Sequence, residues 1–183
     1  NQAIYWVRNF LLWYFKRKED EKLLDKLSTN NYYIVALQLD TDMQSRFQSN
    51  GWNKIDLIKE VIKSFANCTS SEKQLVFKVH PLERGHNNYL KFIYEFARNF
   101  GLDKKVYVVQ TGSISQWLKS SKGMITINST SGFSAIFHGV PILLLGNAIY
   151  EDNQLVHKLV NKGDLDGFWG AHLNPSQEQR MHY

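Results

Sequence analysis

From residue 32 onward, short apolar runs alternate with longer segments whose apolar residues recur every three or four positions, the order expected of parallel β-α-β units. The runs predict strands over 32–39, 74–79, 105–109, 123–127 and 141–145. The helical periodicity predicts helices near 53–67, 87–100, 113–120, 130–138 and 152–161. Segments 35–39 (VALQL) and 141–145 (PILLL) are almost continuously apolar, as in strands covered on both faces. The helix ends have local causes. Gly51 or Asn53 opens the helix that carries Leu57, Ile58, Val61, Ile62 and Phe65, Gly101 closes the 87–100 helix, and Ser113 is placed to cap the next one. These features predict an α/β fold with a parallel sheet and helices on both faces.

Before this alternation lies 4–15 (IYWVRNFLLWYF), followed by Lys16, Arg17, Lys18 and a helical pattern with Leu23, Leu24 and Leu27. The apolar stretch is far shorter than the ~20 residues a membrane-spanning helix needs. Two readings stay open: a helix buried against a preceding domain, or an interfacial anchor at a membrane surface. The chain therefore divides into an aromatic and basic helix at 1–30, a Rossmann-like domain at 31–170, whose periodicity is lost from Gly163 onward, and an irregular tail at 171–183. Its start in mid-pattern at Asn1, without Met, predicts a piece of a longer protein.

Composition narrows the function. With 183 residues, 43% apolar and 14% aromatic, the chain has the material for a folded core, which excludes a disordered polymer. The single cysteine, Cys68, excludes an internal disulfide and a cysteine-rich zinc site, and fits a cytoplasmic location. The net charge of +5 favours anionic ligands, but the basic residues are scattered, so nucleic acid is not an expected partner. Neither a GxGxxG fingerprint nor a P-loop occurs, and His86, His138, His157, His172 and His182 show no metal-ligand spacing, so neither a metal nor a bound cofactor is expected.

In an open parallel sheet the ligand crevice lies beyond the carboxyl ends of the strands. Four such places stand out: Gln38 to Gln44, with Asp40 and Asp42; His80 and Pro81; Asn128, Ser129, Thr130, Ser131 and Gly132; and the stretch with Asn147 and Tyr150. Three hydroxyls and a glycine between a strand and a helix are suited to cradle a phosphate, and equally suited to ordinary capping. Strand alternation puts Lys78 and His80 on one side, where a cation and an imidazole can face an anion. Asp42 can act as nucleophile or base, or serve only a turn.

In order along the chain, VALQLDTDMQ, FKVHPLERG, TINSTSGFSAIFHGVPILLLG and NAIY resemble the C-terminal, nucleotide-binding half of bacterial capsule polysaccharide biosynthesis proteins, over roughly residues 32–169. That family adds β-linked Kdo to the lipid terminus of capsular glycans. The resemblance implies a GT-B-like glycosyltransferase with CMP-Kdo as donor and a lipid-linked glycan as acceptor, working at the inner face of the membrane beside capsule assembly proteins. It implies that His80, Pro81, Asn128, Ser129 and Thr130 hold the CMP phosphate, with His80 also catalytic; Lys78, Ser131 and Gly132, beside them in the strand and the turn, join the expected phosphate site. Asp42 becomes the acidic catalytic residue, with Gln38 and Gln44 as its polar neighbours; Asn147 and Tyr150, after the fifth strand, are expected in support. Ala36 and Met43 depart from the family's proline and serine. Rival readings are another CMP- or CDP-donor transferase, akin to sialyltransferases or CDP-glycerol transferases, and a non-catalytic nucleotide-binding module of a capsule assembly complex.

Overall fold

The computed structural model describes residues 2–27, 31–38, 49–68, 72–79, 88–170 and 176. Helix α1 (Gln2–Lys26) leads into β1 (Tyr32–Ala36), α2 (Lys54–Cys68), β2 (Gln74–Lys78), α3 (Asn88–Arg98) and β3 (Val106–Val109). Then follow α4 (Ile114–Leu118), β4 (Gly123–Thr126), α5 (Ser131–Phe137), β5 (Ile142–Leu144), β6 (His157–Lys158) and a 3-10 helix (Lys162–Trp169). The sheet is parallel throughout, in the order β3-β2-β1-β4-β5-β6. The chain winds outward from β1 to β3, then returns to β4 on the other side of β1, so β1 and β4 form the topological switch of a doubly wound fold.

Alternation along β1 divides the core. Tyr33, Val35 and Leu37 pack with α2, α3 and the 3-10 helix, while Tyr32, Ile34 and Ala36 pack with Leu27 of the α1 end, α4 and α5. Every residue of β1 is buried because both faces are covered. The expected caps are in place. Asn53 Oδ1 accepts from the Asp56 amide at 2.8 Å. Gly101 takes φ +68, which a residue with a Cβ adopts at a cost. Ser113 and Gln116 form a reciprocal capping box.

Two segments differ from the sequence expectation. The predicted 152–161 helix is a turn followed by β6. The Asp152 side chain accepts from the Gln154 amide at 2.7 Å, and its carbonyl accepts from Leu155 and Val156. The Leu159 amide then donates to the Leu144 carbonyl. Pairing with the open edge of β5 buries Leu155, Val156 and Leu159 and outweighs the local helical pattern. The stretch after Gly163 is ordered into the 3-10 helix because Trp169 seats between Tyr33 and Phe65, at ring distances of 4.9 and 5.2 Å, and donates Nε1–H to Ser64 Oγ at 2.7 Å. The 171–175 and 177–183 parts of the expected tail lie outside the described residues.

Helix α1 carries two apolar stripes on opposite sides. Its C-terminal half turns Leu23 and Leu24 toward the sheet, while Val7, Phe10, Leu11, Tyr14 and Phe15 form an exposed stripe on the other side. Among the described residues, no helix is long and apolar enough to cross a membrane.

Candidate functional site

A cleft of about 490 Å³ opens at the carboxyl edge of the sheet, over the switch between β1 and β4. The register explains its floor. Ala36, at the end of β1, lies between Lys78 of β2 and Thr126 of β4, and the Leu37 amide bonds to the Lys78 carbonyl. Lys78 lines the cleft and is only 6% exposed, so a cation sits low in a space walled largely by apolar atoms and hydroxyls. Coulombic attraction for an anion is stronger there than at a solvated surface.

One wall is the β4–α5 turn. Ser129, Thr130 and Ser131 all line the cleft. The first amides of α5 are engaged within the turn itself: Ser131 N–H donates to Ser129 Oγ at 3.2 Å, Gly132 N–H to the Ser129 carbonyl and Phe133 N–H to the Thr130 carbonyl. The backbone donors that a phosphate cradle would use are thus occupied, and the turn presents hydroxyls instead. Ser129 and Ser131 hydroxyls share a 2.7 Å hydrogen bond, and Thr130, the N-cap residue, makes no side-chain cap bond. Asn128 stands behind the turn with a buried Oδ1 that meets no partner among the described residues.

Tyr150 buttresses this turn from below. Its hydroxyl donates to the Ser129 carbonyl at 2.6 Å, and burial pushes its ionisation far above the ordinary tyrosine range, so the donor keeps its proton. The ring lies so close over Gly132 that a Cβ there would collide with it. Gly132 therefore serves close packing against Tyr150, and neither residue lines the cleft.

The opposite wall is the β3–α4 loop, with Gly112, Ser113 and Ile114. No sequence candidate was placed here, although Thr111-Gly112-Ser113 directly follows the apolar VYVV of β3; a run of small and hydroxylated residues just beyond a strand was the available signal. Gly112 has φ +75, and Trp117 Nε1–H donates to the Thr111 carbonyl at 3.1 Å beneath it. Tyr32 of β1 donates to the Trp117 carbonyl at 2.6 Å, which fixes α4 to the sheet.

The remaining expected residues fall into two groups. Gln38 follows β1 half-buried, and Asn147 stands apart from the cleft. The Asn147 side-chain Oδ1 accepts from Lys158 Nζ at 2.8 Å and from Asn50 Nδ2 at 3.3 Å, in a cluster where Lys158 also holds Glu151 at 2.7 Å. Asp42, Gln44, His80 and Pro81 lie outside the described residues.

A model of the capsule polysaccharide biosynthesis protein family matches residues 4–180. The Escherichia coli capsule polysaccharide export protein KpsS is 32% identical over 97% of this chain and 45% of its own length. The Neisseria meningitidis capsule polysaccharide modification protein LipB is 29% identical over 90% of this chain and 39% of its own. This chain thus spans less than half of either relative. Among solved structures, a β-Kdo 2,4 transferase, Thermosulfurimonas dismutans KpsC, superposes with a TM-score of 0.54 at 17% identity, over 70% of this chain and 38% of that one. Anabaena HepE, solved with UDP-glucose, gives 0.55 at 12% identity, over 84% and 41%. The fold is the Rossmann-like domain of GT-B proteins, and the match over nearly all of its length makes this chain a member of the capsule polysaccharide biosynthesis protein family.

Proposed function

We propose that this chain is the donor-binding domain of a capsule glycosyltransferase that moves Kdo from CMP-Kdo to a lipid-linked acceptor. The observation that carries the reading is the cleft at the switch point, lined by buried Lys78 and by the hydroxylated residues Ser113, Ser129, Thr130 and Ser131. Family membership and a fold shared with a β-Kdo transferase support it.

When the glycosidic bond breaks, its electron pair passes to a phosphate oxygen of the departing CMP. Donors held in place before the reaction stabilise that growing charge without reorganising. Lys78 supplies the cation, and the Thr130, Ser113 and Ser129–Ser131 hydroxyls supply the hydrogen bonds. In this reading His80 adds a further donor at the leaving phosphate. Asp42, flanked by Gln38 and Gln44, either takes the proton of the attacking acceptor hydroxyl or bonds to the anomeric carbon to give a covalent sugar intermediate. The acceptor brings the enzyme to the cytoplasmic face of the inner membrane and to its capsule assembly partners. The exposed stripe of α1 is the surface suited to meet lipid. Flotation with anionic liposomes that is lost in Phe10→Ser with Phe15→Ser tests this contact; no flotation by the wild type assigns the stripe to a protein surface.

Isothermal titration with CMP, CDP, UMP and ADP tests the donor reading. We expect CMP to bind selectively, and the Ser129→Ala, Thr130→Ala pair and His80→Ala each to weaken it at least tenfold, about 1.4 kcal/mol. Preference for another nucleotide would replace CMP-Kdo as donor. Selective CMP binding without transfer by the full-length protein would favour the non-catalytic module.

A further inference from the structure

The β3–α4 loop has open space on both sides. The 490 Å³ cleft lies on one side, and a second hollow of about 320 Å³ lies on the other, between the loop and α1; Gly112 and Ser113 line both. With a hollow on each face, the wall packs closely against Trp117 beneath Gly112 but has little else against its sides, so directed bonds do much to set its position. Trp117 Nε1–H takes the Thr111 carbonyl, and the Ser113–Gln116 box closes the far end. The near end is held from a distant part of the chain. Asp20 of α1 is only 2% exposed, and its Oδ2 accepts from Gln110 N–H at 2.9 Å, Thr111 N–H at 2.9 Å and Thr111 Oγ1–H at 2.8 Å. Its other oxygen faces Lys16 Nζ at 3.0 Å, and Lys16 also approaches Glu19 at 3.6 Å.

We propose that Asp20 is a positioning residue for the donor cleft: from α1 it clamps the amides of Gln110 and Thr111 and thereby fixes Gly112 and Ser113 as the wall against which the nucleotide seats. This rests on the donor reading above, and it makes α1 part of the site. A carboxylate suits the task because ionised acceptors make the stronger hydrogen bonds, and because one oxygen can gather three donors while the other keeps its lysine. A buried carboxylate in a plain helix-docking face would be expensive compared with leucine, and the neighbouring Leu23, Leu24 and Leu27 already supply the apolar docking contacts.

The test is CMP titration of the 183-residue chain alongside hydrogen exchange of the Gln110 and Thr111 amides, for the wild type, Asp20→Asn, Thr111→Val and the control Leu23→Ala. The control loosens α1 without touching the loop, so it separates positioning from general support. We expect Asp20→Asn to weaken CMP at least tenfold and to speed exchange of both amides at least tenfold. Thr111→Val, which loses only the hydroxyl contact, should weaken CMP about threefold, and this milder variant decides if Asp20→Asn does not fold. Leu23→Ala should lower the melting temperature and leave affinity within twofold. A wild type that binds CMP while Asp20→Asn binds it equally well overturns the proposal, as does an equal loss in Asp20→Asn and Leu23→Ala. If the wild type binds no CMP, the donor reading fails on its own. Exchange then judges the clamp: protection lost in Asp20→Asn upholds it, and unchanged protection overturns it.

Discussion

The two walls of the cleft are built on opposite plans. The β4–α5 turn is packed from beneath by the Tyr150 ring and closed by hydrogen bonds among Ser129, Thr130, Ser131, Gly132 and Phe133, all within a few residues of one another. The β3–α4 loop has hollows on both faces and is tethered by Asp20, 90 and 91 residues earlier in the chain. A wall fixed by packing tolerates no added volume. A wall fixed by hydrogen bonds tolerates volume better but depends on single polar groups.

Glycine substitutions at the two walls should expose this contrast. Gly132→Ala forces a methyl group into the fully buried Tyr150 ring, and we expect a loss of about 3 kcal/mol, at the upper end of overpacking costs. Gly112→Ala keeps φ near +75 and places its Cβ 2.9 Å from Trp117 Nε1, beside open space into which the loop can shift. We expect the smaller loss of about 1–2 kcal/mol, mostly the left-handed backbone penalty. Urea unfolding of both variants checks the order, and a larger loss at Gly112 would contradict the contrast between packed and tethered walls.

The smallest effect concerns pH and lies away from both walls. Burial lowers the pKa of His157 on β6, whose ring meets Phe168 edge-on at 5.7 Å. The unfolded imidazole takes a proton as pH falls through about 6.5 while the folded one still resists, so stability is full above that pH and declines below it. Urea midpoints at pH 7.5 and 5.5 should show the drop, and His157→Gln should reduce it while leaving the ranking of Gly132→Ala and Gly112→Ala unchanged.

The same contrast explains what could be read from the sequence. Strands β1 to β5 and the helices α2 to α5 follow local periodicity and local caps such as Asn53, Gly101 and Ser113, so their places were legible. The hydroxyl-rich turn after β4 was legible too, because Asn128 to Gly132 carry their chemistry side by side. What its amides do was not, since capping and phosphate binding ask for the same residues. The β3–α4 wall carried a signal in its small, hydroxylated run Thr111-Gly112-Ser113, but nothing near Gly112 signals that a carboxylate of α1 holds it. Tertiary contact likewise decided 152–161, where an unpaired edge of β5 captured a helical pattern, and the 3-10 helix, where Trp169 found a seat between Tyr33 and Phe65. Residues 39–48 and 80–87, which hold Asp42, Gln44, His80 and Pro81, lie outside the described residues.

The measurement that bears most directly on the proposed two-walled donor cleft is an amide chemical-shift map of the chain titrated with CMP. The account predicts saturable shifts at Gly112 and Ser113 on one wall and at Ser129, Thr130 and Ser131 on the other, with Asn147 and the Lys158 cluster unmoved. Shifts confined to one wall, or centred on Asn147, would contradict it.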